Sequence, residues 1–145
     1  MPRNAAIKLR SRFFEALLNL LLDTHLLLWA ASEPQRLSAK ARTLLLAPAN
    51  QLVFSSASLW EISIKNELER SDFNIDPRRL WRMLLVSGYR ELSVTSEHAV
   101  AVNNLPILHK NLFDRILVAQ ARVEGLTLLT VDKAVAKYGE GVQKV

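Results

Sequence analysis

Cysteine is absent from the chain. Disulfides, thiol nucleophiles and thiolate metal sites are therefore excluded, and a reducing cytoplasm is the expected location. Glycine is nearly as scarce, with four residues in 145. Four scattered glycines supply neither a GxxxxGK[ST] phosphate loop nor a GxGxxG dinucleotide fingerprint, and neither pattern occurs. A GxSxG nucleophile elbow and an HExxH zinc helix are missing too. No apolar run exceeds the six residues Leu26 to Ala31, far short of a bilayer span, so no membrane partner is expected. The apolar stretch Ala16–Leu22 follows a basic start, but Glu15, Asn19 and Asp23 interrupt it and no cleavage-site pattern follows. It does not read as a signal peptide.

What remains is an ordinary globular composition with a basic surplus. Lys and Arg number 19 against 14 Asp and Glu, giving a net charge of +5, a balance that favours polyanionic partners. Short apolar segments alternate with helical patterns. Leu20–Leu22, Gln51–Phe54, Glu91–Val94, Thr127–Thr130 and Val142–Val145 read as strands. Between them, Ser38, Ser58, Asp76, Thr95 or Ser96, and Asn111 are placed to cap helices, the Ser58 helix reaching about Arg70. Gly125 is placed to end the Asn111 helix. This alternation predicts an α/β sandwich with a mostly parallel central sheet, in which ligands bind beyond the carboxyl ends of the strands.

The stretch Asn111–Ala121, "NLFDRILVAQA", poses the chemical question. At 100° per residue Leu117, Val118 and Ala121 share a face, and Asp114 projects from its middle. A carboxylate there is costly unless it is paired, hydrogen-bonded or metal-bound. Asp23, Glu61 and Asp132 share its character, each at a strand end or early in a helix beside apolar sequence. The other ten acids sit in solvated or capping contexts. Singly, each of the four reads as a helix cap; Ser58-Leu-Trp-Glu61 has the form of a capping box and Asn111-Leu-Phe-Asp114 that of its analogue. Together, four acids meeting at one sheet edge repel unless a hard divalent cation such as Mg²⁺ or Mn²⁺ sits among them. Such a site suits phosphodiester hydrolysis. Lys65 and Arg115 are candidates either to contact a substrate phosphate or to pair with a site carboxylate. Thr130 is placed to support Asp132 or a metal-bound water. His25, His98 and His109 are read as core or surface residues, since a lone histidine carries little functional information.

At these residues the chain resembles a known family. "LLLDTHLLLWA", "SSASLWEISIK", "HKNLFDRILVAQA" and "GLTLLTVDKAVAKYG" occur in the order and spacing of PIN-domain ribonucleases, and are most like the VapC-type toxins of bacterial toxin–antitoxin pairs. The resemblance spans residues 18–145. It implies a three-layer α/β/α sandwich with sheet order 3-2-1-4-5. It also implies a Mg²⁺- or Mn²⁺-dependent acidic site and endonucleolytic cleavage of RNA. Carried over by position, the acids are Asp23, Glu61, Asp114 and Asp132. A homodimer is implied as well, neutralised by a cognate antitoxin that inserts a segment into a groove near the site. Asn111-Leu112 stands where many relatives have Asp-Pro, and asparagine caps a helix equally well. Residues 1–17 precede the family pattern; they read either as a mobile basic arm or as a start assigned too far upstream. Two other classes are weaker. A phosphoacceptor domain wants paired acids after the first strand, where Thr24 and His25 follow Asp23. A non-catalytic module of the same fold has no need of all four acids.

Overall fold

The computed structural model describes residues 18–69 and 74–145. The expected extension over 1–17 lies outside the described residues; the helix expected to reach about Arg70 ends earlier, at Glu67 with Leu68 as its C-cap. Strand β1 is Asn19–Leu22, followed by helix α1, Thr24–Ser32. A 3₁₀ turn at Pro34–Arg36 leads to α2, Ala39–Leu46. Then come β2 (Gln51–Ser55), α3 (Ser56–Glu67), α4 (Pro77–Val86) and β3 (Arg90–Leu92). Helix α5, Ser96–Ala101, runs into a 3₁₀ turn at Val102–Asn104. The chain closes with α6 (Leu112–Glu124), β4 (Thr127–Thr130), α7 (Lys133–Ala136) and β5 (Val142–Lys144).

The five strands form one sheet in the order β3-β2-β1-β4-β5, and every pairing is parallel. Successive side chains of a strand face opposite ways, so a strand covered on both sides is apolar at every position. In β1, Leu20 and Leu22 enter one core with Phe54, Ile62, Leu80 and Leu129. Leu21 enters the other, with Val53, Leu117, Val118 and Leu128. Helices α1, α3 and α4 contribute to the first core; α6 covers the second. This is the expected three-layer sandwich. The strand order reverses between β1 and β4, where diverging connections leave a crevice at the strands' carboxyl ends.

Most helix ends sit where the sequence places them. Ser38, Asp76, Thr95 and Asn111 each accept a backbone N–H at the N-terminus of a helix, and Gly125 ends α6 at φ 67°. One cap is corrected. Helix α3 begins at Ser56, and its N-cap is Ser55, whose Oγ accepts from the Ala57 amide at 3.0 Å. Ser58 lies inside the helix, where its Oγ accepts a 3.0 Å hydrogen bond from the Thr24 hydroxyl. Ser58-x-x-Glu61 is therefore no capping box. Among the described residues no helix is long and apolar enough to cross a membrane.

Candidate active site at the carboxyl ends of β1 and β4

Asp23 is the first residue after β1 and the N-cap of α1. It is 4% exposed, yet no carboxylate oxygen lacks a donor. Oδ1 accepts from the Leu26 amide at 2.8 Å; Oδ2 accepts from the Thr130 hydroxyl at 2.6 Å and the Val131 amide at 3.1 Å. Burial pushes its carboxyl above the usual range, and these three bonds act in the opposite direction. Thr130 ends β4 and works both ways, since its Oγ1 also accepts from the Asp132 amide at 3.1 Å. One hydroxyl thus ties the acid after β1 to the acid after β4.

Asp132 caps α7, its Oδ1 accepting from the Ala134 amide at 2.7 Å. Asp114 comes from the first turn of α6, whose start is fixed by Asn111 Oδ1 accepting from Phe113 N at 2.9 Å and Asp114 N at 3.4 Å. Glu61 comes from the sixth residue of α3 and is 2% exposed. Its Oε2 accepts from Lys65 Nζ at 2.7 Å, whereas Oε1 is buried without a hydrogen-bond partner. A buried, half-satisfied carboxylate away from the helix start has no capping explanation. The other three acids act on Asp114: its carboxyl is pushed up to about 6, first by burial, then by the negative charge of Glu61, with Asp23 and Asp132 adding to it and His109 opposing them.

Lys65 is one turn beyond Glu61 and pairs with it. Arg115 Nη2 donates to the Val102 carbonyl at 3.3 Å and the Leu105 carbonyl at 3.4 Å. It fastens the start of the loop that enters α6.

That loop carries a residue the sequence reading set aside. His109 Nε2 lies 2.9 Å from Asp114 Oδ2 and 3.4 Å from Asp132 Oδ2. With those two acids it forms a group of three potential metal-ligand atoms within 4.8 Å of one another. No helical or strand periodicity links positions 109, 114 and 132, so only the assembled sheet edge reveals the group. The sole hint in sequence was a histidine in the apolar loop that leads directly into the Asp114 helix.

The donor set is hard oxygen with one nitrogen, and the orphaned Glu61 Oε1 sits in a cluster whose like charges need a counterion. Both features fit a divalent cation.

An all-parallel sheet with acids gathered at the β1/β4 switch point places the chain in the α/β class. The PIN domain family model matches residues 20–141, and the chain belongs to that family. It is 30% identical to "Ribonuclease VapC22" of Mycobacterium tuberculosis over 119 residues, covering 81% of this chain and 90% of that one. Among solved structures, VapBC2 from Rickettsia felis bound to a promoter DNA fragment superimposes with a TM-score of 0.64 at 14% identity. That match covers 88% of this chain and 99% of the other. DNA-bound VapBC from Salmonella typhimurium gives 0.59 at 16%, covering 88% and 97%.

Proposed function

We propose that the chain is the toxin of a toxin–antitoxin pair and acts as a divalent-metal-dependent endoribonuclease. One observation carries this reading: carboxylate oxygens of Asp114 and Asp132 gather beyond the ends of β1 and β4, and the charges of Glu61 and Asp23 bear on Asp114 there. A PIN domain spanning most of the chain and a relative named as a ribonuclease support it. The solved VapBC relatives support a cognate antitoxin as partner.

Asp114 and Asp132 would hold a Mg²⁺ or Mn²⁺ ion, with Glu61 and Asp23 behind them. Bound there, the ion supplies Lewis acidity, lowering the pKa of an attacking water and offsetting charge on the leaving oxygen. The protein's own groups prepare that place. Thr130 and the Val131 amide keep Asp23 aimed along the sheet edge. Lys65 neutralises one oxygen of Glu61 and leaves the other open. Asn111 fixes the angle of the first turn of α6 and hence of Asp114. Purified protein incubated with cellular RNA and Mn²⁺ or Mg²⁺ is expected to generate discrete new ends, and chelation to abolish them. Intact RNA under all metal conditions, from folded protein, would sink this reading.

Self-association belongs to the same proposal. Trp60 (64% exposed) and Leu112 (73% exposed) border a groove lined by Ala57, Val94, Phe113 and Ile116. The Trp60 and Phe113 rings meet edge to face at 5.2 Å. An exposed aromatic patch of this kind marks a protein interface, and its position beside Glu61 and Asp114 would set two copies' sites around one substrate. Trp60→Glu is expected to weaken dimerisation by ~2 kcal/mol or more, roughly 30-fold. Light scattering after gel filtration checks this; an unchanged dimer would move the interface elsewhere.

A further inference from the structure

We propose that His109 is a direct nitrogen ligand of the site's metal ion, beside Asp114 and Asp132, and that it turns the site toward first-row transition ions and away from Mg²⁺. This rests on the metal-site reading above. The geometry comes first. Two ligands at right angles about an ion, each about 2.1 Å from it, stand about 3 Å apart. The His109 nitrogen stands 2.9 Å and 3.4 Å from one oxygen of each aspartate. Those approaches are short, but neither has hydrogen-bond alignment: Nε2 is buried and makes no hydrogen bond. A ring nitrogen within ion-pair distance of two carboxylates, yet hydrogen-bonded to neither, is arranged around a common centre rather than toward one partner.

A second observation points the same way from another element. Glu61 is buried, and its Oε1 is also without a partner. Its charge acts on Asp114, so its carboxylate neighbours the group that His109, Asp114 and Asp132 form. Two buried ligand-type atoms, one nitrogen and one oxygen, are thus unsatisfied among acids that repel.

The loop is built to present the imidazole. Arg115 holds its start through the Val102 and Leu105 carbonyls, the Leu108 amide closes a turn on the Pro106 carbonyl at 3.0 Å, and the Asn111 cap fixes its end. Only the five residues Pro106–Lys110 lie between the Leu105 anchor and that cap. This gives Arg115 a purpose beside Asp114: it positions the ligand loop.

Selectivity follows from ligand chemistry. Mg²⁺ prefers oxygen and keeps its waters, whereas imidazole raises affinity along the series from Mn²⁺ to Co²⁺ and Zn²⁺. His109→Asn keeps a short polar side chain but removes the imidazole. We expect titration calorimetry to show Co²⁺ binding weakened at least ~10-fold in that variant, with Mg²⁺ binding changed less than ~2-fold. Pulsed electron paramagnetic resonance of the Mn²⁺-loaded wild type should show coupling to a ¹⁴N nucleus, lost in His109→Asn. The wild-type spectrum needs no folded variant. Absence of ¹⁴N coupling, or equal losses for Co²⁺ and Mg²⁺, overturns the assignment and leaves His109 as a charge that merely spaces the two aspartates. The two failures are separable: a wild type that binds none of these ions sinks the metal-site reading itself, whereas one that binds Mn²⁺ without nitrogen coupling sinks only the role of His109.

Discussion

Asp114→Asn is expected to abolish RNA cleavage while making the metal-free protein more stable. Both effects come from one cause. Burial and the charges of Glu61, Asp23 and Asp132 raise the Asp114 carboxyl from 3.8 to about 6. Ionising it in the folded state therefore costs more than in the unfolded chain. The sign is that of a raised acid: between pH ~4 and ~6 the unfolded chain has released the proton that the folded protein keeps. Stability thus falls as pH rises through that window and is flat above it. A shift of this size corresponds to about 2–3 kcal/mol at neutral pH. An amide that fills the space imperfectly recovers ~1–2 kcal/mol of this, a few degrees in melting temperature. The stabilisation should be absent near pH 4 and full above pH ~6. Melting curves of both proteins in chelator across pH 4–8 check this, and a difference independent of pH would exclude it. Added Mn²⁺ should raise the melting temperature of the wild type and leave Asp114→Asn unmoved, because binding to the folded state alone stabilises it. Cleavage by the variant should fall by roughly 10²–10³-fold or more.

This opposition of stability and function explains what could be read from the sequence. Leu20–Leu22 and Thr127–Thr130 are legible as strands because both faces are covered, which forces unbroken apolar runs. Asn111, Asp76 and Gly125 are legible because a cap is a local contact between near neighbours. Asp114 stood out because a first-turn acid gains only a small local reward, which does not offset placing a carboxylate on an apolar face. The start of α3 was misplaced for the same local reason. Ser55, Ser56 and Ser58 all have capping chemistry, and the choice is made by a tertiary bond that draws Ser58 to Thr24 inside the fold. Moving the cap to Ser55 removes the structural explanation for Glu61. His109 was invisible for the opposite reason. Its partners are five and twenty-three positions away, in different elements, and no period in the sequence connects them.

Asp23→Ala is expected to be equally inactive for a different reason, and to lose stability where Asp114→Asn gains it. Asp23 accepts three hydrogen bonds: two buried, from the Leu26 amide and the Thr130 hydroxyl, and one half-buried, from the Val131 amide. Alanine removes the α1 cap, at ~0.5–2 kcal/mol. It also strands Thr130 and Val131 at the junction of β1 and β4, at ~1–3 kcal/mol for each buried donor left unpaired. Relief of the buried charge returns part of this, since burial already pushes the Asp23 carboxyl up. The net loss is about 2–4 kcal/mol, or ~5–15 °C in melting temperature. The damage should spread along Thr130, because losing its acceptor frees the hydroxyl that also receives the Asp132 amide. Hydrogen exchange should therefore quicken at the Leu26, Val131 and Asp132 amides together, while the Ala57 amide at the α3 cap stays protected. Faster exchange at Leu26 alone would mean that Asp23 is only a cap, and that the acids after β1 and β4 are not held by a common hydroxyl. Two acids of one site would then share an outcome in activity and differ in sign in stability. Asp114 is kept against the fold's interest, and Asp23 serves the fold and the site at once.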